Sequence, residues 1–341
     1  MIELVALILA IIIGGISVIN KTEVALLKDN VREKHQISDF SFMSNRALMG
    51  YMSGVFLTPL IFLINLNSEI IFFILLFSIL RYLTWSRWTY LHGMFSNAKQ
   101  QATTKYTLLE GYVGPAASAL VFGIAFLINT NFTSFLIWIS IGCFTLFIAW
   151  LFRDTNEKLS KEMKKLLLFQ GLVVIVETLA LQFFLNKEYS NNENLEHLTN
   201  ILPFLNEGFI VFLVTIGISS IFSGIKFHKY LINEIDKVGK KGVLLGTVSG
   251  LHDALYFSAF AYAGPSFLIF RRFLMIPIQT IYLSYREIKN QHNKEHIKVF
   301  WQKIINSAKL PPLESKDGRV IIAGLMDQAF SIPARMLAKL L

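Results

Sequence analysis

The residues of this chain best suited to chemistry are ionisable side chains that interrupt long apolar runs. An ionisable side chain at the centre of a bilayer costs about 2.5–3.5 kcal/mol, so such residues usually face a cavity or a partner. A carboxylate or an imidazole there can exchange a proton, whereas a lysine or an arginine can hold an anionic group. The candidate substrate-binding or coupling residues are His92, Lys105, Glu110, His252, Asp253 and Arg272. The chain has no metal-ligand spacing of Cys and His, so no metal site is expected.

Glu110 is the most informative of the three candidates in the first half. Gly111, Gly114 and Pro115 follow it, and such residues let a helix bend or let a second backbone approach closely. A broken helix beside a carboxylate is typical of a substrate or proton site in transporters. The alternative is that Glu110 has a local partner, and that Lys105 extends to the lipid headgroups.

His252 and Asp253 lie in the middle of a later apolar run, and Arg271 and Arg272 lie early in the next one. An aspartate paired with an arginine of the adjacent helix lowers the cost of burying both. The same pair could bind an anionic or zwitterionic solute, or exchange a proton, and the sequence leaves both interpretations open. Further candidates of the same kind are Glu177, Asp327 and Arg335.

The elements that must position these residues are membrane-spanning helices. The 341 residues are 54% hydrophobic and only 16% charged, whereas a soluble domain carries roughly 25% charged residues. A helix of about 20 apolar residues crosses the hydrocarbon core of a bilayer. Ten runs are candidate spans, at residues 1–19, 47–66, 68–92, 102–128, 133–152, 166–186, 203–225, 242–262, 265–285 and 319–340. We therefore expect an all-α integral membrane protein with about ten transmembrane helices.

Lysine and arginine are unevenly distributed among the loops of this arrangement. Residues 20–46, 153–165 and 226–241 each hold five of them, and residues 286–319 hold eight. The loops on the other side hold one or none. The third connection is predicted on the basic side but holds only Lys99. This alternation is what the positive-inside rule predicts for ten spans with both termini outside. It also accounts for the net charge of +9 without a nucleic-acid partner.

The ten spans divide into two halves, residues 1–152 and residues 153–341. Because five spans per half is an odd number, the halves are expected to form inverted repeats of opposite orientation. An alignment that matches Pro115 with Pro277 superposes the fourth span on the ninth. At about residues 286–310, an apolar stripe among Lys and His predicts a basic amphipathic helix at the membrane surface.

The end of the eighth span and the ninth span carry a recognisable combination of features. Aromatic residues and alanine end one helix at residues 260–263, a Gly264-Pro265 turn follows, and Pro277 lies inside the next helix. This segment resembles the third and fourth helices of an EamA-type repeat of the drug/metabolite transporter (DMT) superfamily. The resemblance implies ten helices in two repeats and the transport of a metabolite or drug-like solute. Gly114 and Ile276 stand where members often have an acidic residue, so the chain resembles a divergent member.

These patterns favour a multi-pass secondary transporter of the cell membrane that carries a small polar or amphipathic organic solute. Protons are the candidate coupling ion, and the expected partners are the lipid bilayer and the small-molecule substrate. No G-x-x-x-x-G-K-[ST] sequence occurs, so a nucleotide-driven pump is not expected, and no cofactor is predicted. The alternative is a membrane-embedded enzyme that acts on a lipid or lipid-linked substrate. Because the predicted outer loops are short and no H-E-x-x-H motif occurs, we do not expect an enzyme.

Overall fold

The computed structural model is helical throughout the part of the chain that it describes. It describes residues 8–9, 11–16, 19, 42–97, 104–151, 160–187, 189, 206–263, 267, 271, 282, 302 and 316–341. The helices are α1 (Phe42–Leu57), α2 (Ser68–Asn97), α3 (Thr104–Ile128), α4 (Phe132–Leu151), α5 (Lys161–Asn186), α6 (Glu207–Ala263) and α7 (Lys316–Leu340). A 3-10 helix, Thr58–Leu63, continues α1. No strand occurs within these described residues, which confirms the all-α prediction for them.

Four of the described helices begin where a polar side chain caps the first turn. A helix leaves its first N–H groups without an internal partner, and a capping oxygen that accepts one of them contributes about 1 kcal/mol. The caps accept from the backbone N–H three residues later at 2.7–3.1 Å, and they are Asn67, Asn131, Ser160 and Asn206. These caps mark the starts of α2, α4, α5 and α6.

Six helical segments in the described ranges are long and apolar enough to span a membrane. They are Met43–Leu63, Ser68–Met94, Gly111–Ile128, Phe132–Leu151, Lys161–Asn186 and Glu207–Asn233, and they correspond to the second to seventh predicted spans. Large apolar side chains cover their outer surfaces, and Phe62 and Ile128 are 88% and 75% exposed. A surface of this kind is stable in lipid and unfavourable in water. We conclude that the chain is a helical membrane protein.

Helix α6 is a single run of 57 helical residues that cannot be straight. A Cβ atom at Gly217 would lie 3.0 Å from Leu57 Cβ, and one at Gly246 would lie 3.2 Å from Leu48 Cβ. On a straight helix the two glycines would be about 44 Å apart, whereas the two leucines are separated by about 14 Å along α1. The chain therefore turns back between Asn233 and residue 243. We name residues 207–233 the first limb of α6 and residues 243–263 the second limb.

The two limbs lie on either side of α1 in opposite directions. Ser44 donates to the Tyr230 carbonyl oxygen near one end of α1, and Leu57 contacts Gly217 near the other, so α1 is antiparallel to the first limb. Leu48 contacts Gly246, and further along α1 Ser53 donates to Asp253, so α1 is parallel to the second limb.

The remaining contacts fix the direction of the other helices. Helix α2 is parallel to the first limb and antiparallel to α5, and α3 is parallel to α5. Helix α4 is antiparallel to both α3 and α7. Consecutive elements from α1 to the second limb therefore alternate in direction, as successive crossings of a membrane must.

Two engineered disulfides test the reversal of α6. In a Cys143→Ala background, we expect Leu48→Cys/Gly246→Cys and Leu57→Cys/Gly217→Cys each to form an intramolecular disulfide on oxidation, because both Cβ separations are close to the 3.5–4.5 Å range of disulfides. Faster migration on non-reducing gels reports each bond. A straight α6 could satisfy only one of the two pairs, so failure of either one would contradict the reversal.

The predictions about the chain ends and loops are confirmed in part, differ from the structure at one loop, and otherwise fall outside the described residues. The predicted loop at residues 226–241 begins later than predicted, because the first limb extends to Asn233 and the chain reverses only between Asn233 and residue 243. Lysine, glutamate and leucine are good helix formers, so a charged segment need not end a helix. Residues 242–262 and 319–340 are helical, in the second limb and in α7. The predicted spans 1–19 and 265–285 and the surface helix 286–310 fall largely outside the described residues, and the division into halves stays a prediction.

Candidate functional site

A buried ion pair joins Arg81 of α2 to Glu177 of α5. Arg81 Nε donates to Glu177 Oε1 at 2.8 Å, and the two side chains are only 4% and 10% exposed. Removing two charges from water costs several kcal/mol each, and close contact with good hydrogen bonds offsets that cost. The pair therefore fixes the register of α2 against α5.

The first limb of α6 completes the surroundings of the Arg81 guanidinium. Arg81 Nη1 donates to Ser219 Oγ at 2.8 Å and to Ser220 Oγ at 3.3 Å. The guanidinium carbon also lies 5.6 Å from the centroid of the Trp85 ring and 5.9 Å from that of Phe257, in the second limb. One arginine thus contacts α5 and both limbs of α6.

A second carboxyl group, that of Asp253, lies beside this ion pair. Ser53 of α1 donates to Asp253 Oδ2 at 3.0 Å, and His252 Nδ1 lies 3.8 Å from Asp253 Oδ1. Asp253 is 9% exposed, and it is near enough to Glu177 for the two carboxylates to repel each other. We name the set formed by Ser53, Arg81, Glu177, Ser219, Ser220 and Asp253 the central polar cluster.

The central polar cluster lies at the mid-depth of the bundle. Ser53, Arg81 and Ser220 are each the middle residue of their own apolar span. The ends of those spans are about 15–20 Å away along each helix axis. Charged groups at this depth have no access to lipid headgroups by extending a side chain, so they depend on one another.

The structure brings together two of the six candidates from the sequence, His252 and Asp253. The hydrogen-bond partner found for Asp253 is Ser53, while the predicted partner Arg272 lies outside the described residues. Arg271 has its guanidinium carbon 5.1 Å from the centroid of the Tyr256 ring, one helical turn from Asp253.

The three candidates in the first half belong to helices α2 and α3. His92 is in α2, where its ring is 5.2 Å from that of Trp88. It lies 11 residues beyond Arg81, or about 16 Å along the axis, so it is not part of the central polar cluster, and its role in binding or coupling stays a prediction. Lys105 and Glu110 belong to α3, and their side chains lie outside the described part of the structure.

The sequence patterns do not predict the pairing of Arg81 with Glu177, or the role of the serines. Glu177 is one of the further candidates from the sequence, whereas Arg81 is not among them. The signal was present in the charge pattern, because each is the charged residue nearest the middle of its own predicted span. Two opposite charges at equal depth in different helices are natural partners.

Polar contacts near the ends of the helices hold one face of the bundle together. Lys187 Nζ lies 2.7 Å from Glu69 Oε1, and the Asn65 backbone N–H donates to Glu207 Oε1 at 2.8 Å. Burial raises the pKa of the Tyr189 hydroxyl, and the nearby Glu207 carboxylate raises it further. Tyr189 therefore remains neutral through the physiological range, and the Lys187–Glu69 pair provides an exposed counterpart to the Arg81–Glu177 pair.

Among the described residues, no three His, Cys, Asp or Glu side chains are close enough to hold a metal ion. The side chains of the central polar cluster can form hydrogen bonds and ion pairs and can exchange protons. Comparison of the chain with protein-family models, curated proteins and solved structures found no match.

Proposed function

We propose that this protein is a secondary transporter of a small polar or amphipathic organic solute, with the central polar cluster as its binding and coupling site. The observation that carries the proposal is a set of three charged side chains, Arg81, Glu177 and Asp253, buried together at mid-depth. Ionisable residues in membranes are expensive, and they usually mark a substrate or ion pathway.

The position of the cluster between the two predicted halves supports this function. Ser53 and Arg81 belong to the first half, whereas Glu177, Ser220 and Asp253 belong to the second. Secondary transporters place substrate and ion sites near the bilayer midplane at the interface of their repeats. A site there can be opened alternately to each side when one half moves against the other.

The helix contacts support the inverted-repeat plan. Counted along the ten predicted spans, each span of the first half corresponds to the span five places later. This correspondence pairs α1 with the first limb, α2 with the second limb, and α4 with α7. If the two members of every pair are exchanged, the α1–first limb contact and the α4–α7 contact each stay the same contact, and both are antiparallel. The α1–second limb contact maps onto the α2–first limb contact, and both are parallel. This is the pattern expected of halves related by a two-fold axis in the membrane plane.

The same directions agree with ten spans. The second limb and α7 run in the same direction, as alternating spans require if the predicted span 265–285 lies between them. The DMT-like interpretation rests on this arrangement and on the sequence resemblance alone.

The chemistry of the cluster suggests what the solute carries. Arg81 can bind a carboxylate or phosphate by exchanging its contact with Glu177 for one with the solute, while Asp253 can take a proton or a cationic group. The rings of Trp85 and Phe257 lie against the guanidinium and offer apolar walls to an amphipathic solute.

Solute flux in proteoliposomes tests the proposal. We expect gradient-driven uptake from a panel of organic anions and zwitterions by the wild type, and a decrease of about tenfold or more in Asp253→Asn and in Glu110→Gln, because a neutral amide cannot exchange the coupling proton. The matched control is Glu69→Gln, which makes the same change at a 59% exposed carboxylate and should leave flux unchanged.

The outcomes separate the candidate functions. Wild-type flux in both Asp253→Asn and Glu110→Gln, or flux that ignores the proton gradient, would remove proton coupling. A folded protein that moves no member of the panel but converts a lipid-linked substrate would instead establish the membrane-enzyme alternative.

A further inference from the structure

Helix α7 carries its polar side chains inward and its apolar side chains outward. Its buried face consists of Asp327, Gln328, Ser331 and Arg335, together with the small residues Ala323, Gly324 and Ala338. Its exposed face carries Leu325, Met326, Met336, Leu337 and Leu340. A helix in water has the opposite arrangement, so α7 is suited to face lipid on one side and a polar interior on the other.

Within the described residues, Asp327 and its neighbours present several buried polar atoms without a hydrogen-bond partner. Thr145 of α4 donates to Asp327 Oδ1 at 2.9 Å, but Asp327 Oδ2 has no hydrogen-bond partner in the described part of the structure. Within the same described ranges, neither Gln328 Oε1 nor Nε2 is hydrogen bonded, nor is Ser331 Oγ. Asp327 and Ser331 are fully buried, and Gln328 is 7% exposed. Each such atom costs about 1–3 kcal/mol if nothing satisfies it.

The helix places these three side chains next to one another. Ser331 lies four residues after Asp327 and three after Gln328, so its side chain is within a turn of both, at an angle between them. Side chains on a helix lean toward its N-terminus, which brings Ser331 Oγ toward the other two. Thr145 faces the group from α4.

The described side chains of α3 and α4, which pack against α7, supply no positive charge to balance Asp327, and those of Lys105 and Glu110 near the start of α3 lie outside the described part of the structure. Residues 132–151 of α4 and 111–128 of α3 include no Asp, Glu, Lys, Arg or His. On α7 itself, the nearest basic residues along the chain are Arg319 and Arg335, each eight residues and about 12 Å along the axis from Asp327. A buried carboxylate in such surroundings needs a positive partner or a proton.

We propose that Asp327, Gln328, Ser331 and Thr145 form a binding site for a sodium ion between α4 and α7. Carboxylate, amide and hydroxyl oxygens are the ligands that hard cations prefer, and secondary transporters bind Na⁺ at mid-membrane positions. A proton on Asp327 would satisfy one oxygen only, whereas a cation among Asp327 Oδ2, Gln328 Oε1 and Ser331 Oγ would satisfy all three. The role of this ion in coupling rests on the proposed transport function, while its binding does not.

Sodium-dependent thermal unfolding of the purified full-length chain in detergent tests the site. NaCl would be titrated against choline chloride at constant ionic strength and fixed pH. Because a ligand that binds only the folded state stabilises it, we expect the wild-type unfolding midpoint to rise saturably, by about 3 °C or more. The matched control, Glu69→Gln, should show the same rise, since Glu69 lies on the surface at the end of α2.

Asp327→Asn should unfold cooperatively but lose the response to Na⁺, and Ser331→Ala should need several-fold more Na⁺ for the same shift. If Asp327→Asn fails to fold, the Ser331→Ala titration decides the question. The proposal would be overturned if Ser331→Ala needed the same Na⁺ concentration as the wild type for half of the stabilisation. If the wild-type unfolding midpoint changes with pH but is the same in NaCl and in choline chloride, the site binds a proton, and this result would also overturn the proposal. A saturable Na⁺ response in a protein without solute flux would retain this site and reject the transport function.

Discussion

Arg81→Gln is expected to lower the free energy of unfolding by about 3–5 kcal/mol, which is the cost of removing one partner from a buried ion pair. The substitution leaves the Glu177 carboxylate buried without its guanidinium, so Glu177 must either stay charged in an apolar interior or take up a proton. Ser219 and Ser220 also lose the hydrogen bonds that they accept from Arg81. One change thus weakens the contacts of α2 with both α5 and α6.

The effect can be measured as the unfolding midpoint in detergent and as the yield of monodisperse protein. The matched control is Lys187→Gln, which breaks the Lys187–Glu69 pair, where Glu69 is 59% exposed. An exposed ion pair contributes about 0–1 kcal/mol, so the control should unfold close to the wild type.

The double variant Arg81→Gln/Glu177→Gln distinguishes a pair effect from two separate ones. With both charges removed, no uncompensated charge remains, and we expect the double variant to be more stable than Arg81→Gln alone. If Arg81→Gln unfolds like the wild type, or if the double variant loses the sum of both single effects, the ion pair does not hold these helices together.

The membrane spans were predictable because hydropathy is a local property of the chain. Six of the predicted spans appear as long apolar helices with boundaries within about five residues, except that the apolar segment of the fourth begins only at Gly111 and the seventh extends to Asn233. The boundaries of α2, α4, α5 and α6 follow from capping residues that are visible in the sequence, such as Ser160 and Asn131. What local patterns could not give is how the helices are rotated and paired.

The partners within the central polar cluster depend on that pairing. Asp253 accepts a hydrogen bond from Ser53, 200 residues earlier, which no local pattern indicates, and its expected pairing with Arg272 stays a prediction because Arg272 lies outside the described residues. Arg81 and Glu177 are 96 residues apart and meet because α2 and α5 pack antiparallel. A single sequence specifies depth in the membrane, because each residue has a position along its span, but it does not specify which helix lies opposite.

Both proposed sites combine helices from the two predicted halves. The central polar cluster lies among α1, α2, α5 and α6, and the proposed sodium site lies between α4 and α7. If the halves move against each other during transport, both sites would change shape in the same step. This geometry is what coupling between a solute and an ion requires, since each ligand must favour the same conformations.

Gly50→Ala is expected to destabilise the bundle by about 1–3 kcal/mol, because it overfills a helix contact in which the new side chain would meet backbone atoms. A Cβ at Gly50 would lie 2.6 Å from the Ser220 carbonyl oxygen and 3.0 Å from the Gly224 nitrogen. Backbone atoms cannot rotate away as a side chain can, so α1 and the first limb must separate. At Gly54, by contrast, the added atom would first meet the Ile221 side chain, which has rotamers available.

The control for this change is Gly171→Ala in α5, where the nearest atom would be Val113 Cγ1 at 3.5 Å, an ordinary contact. Alanine favours a helix over glycine by about 1 kcal/mol, so Gly171→Ala should be neutral or slightly stabilising. Because both changes replace glycine by alanine, opposite effects on stability would isolate the steric cost of the α1–first limb contact. Unfolding midpoints measured side by side give the comparison, and equal midpoints for the two variants would contradict it.

Gly50→Ala should also reduce solute flux by more than its loss of stability explains. Gly50 lies one turn before Ser53, so moving α1 away from the first limb also shifts Ser53 relative to Asp253, whose hydrogen bond is 3.0 Å long. Flux per folded molecule, measured well below the unfolding midpoint, separates the two effects. A folded Gly50→Ala protein with wild-type flux would mean that the Ser53–Asp253 contact serves stability alone, and it would leave Arg81 and Glu177 as the working part of the cluster.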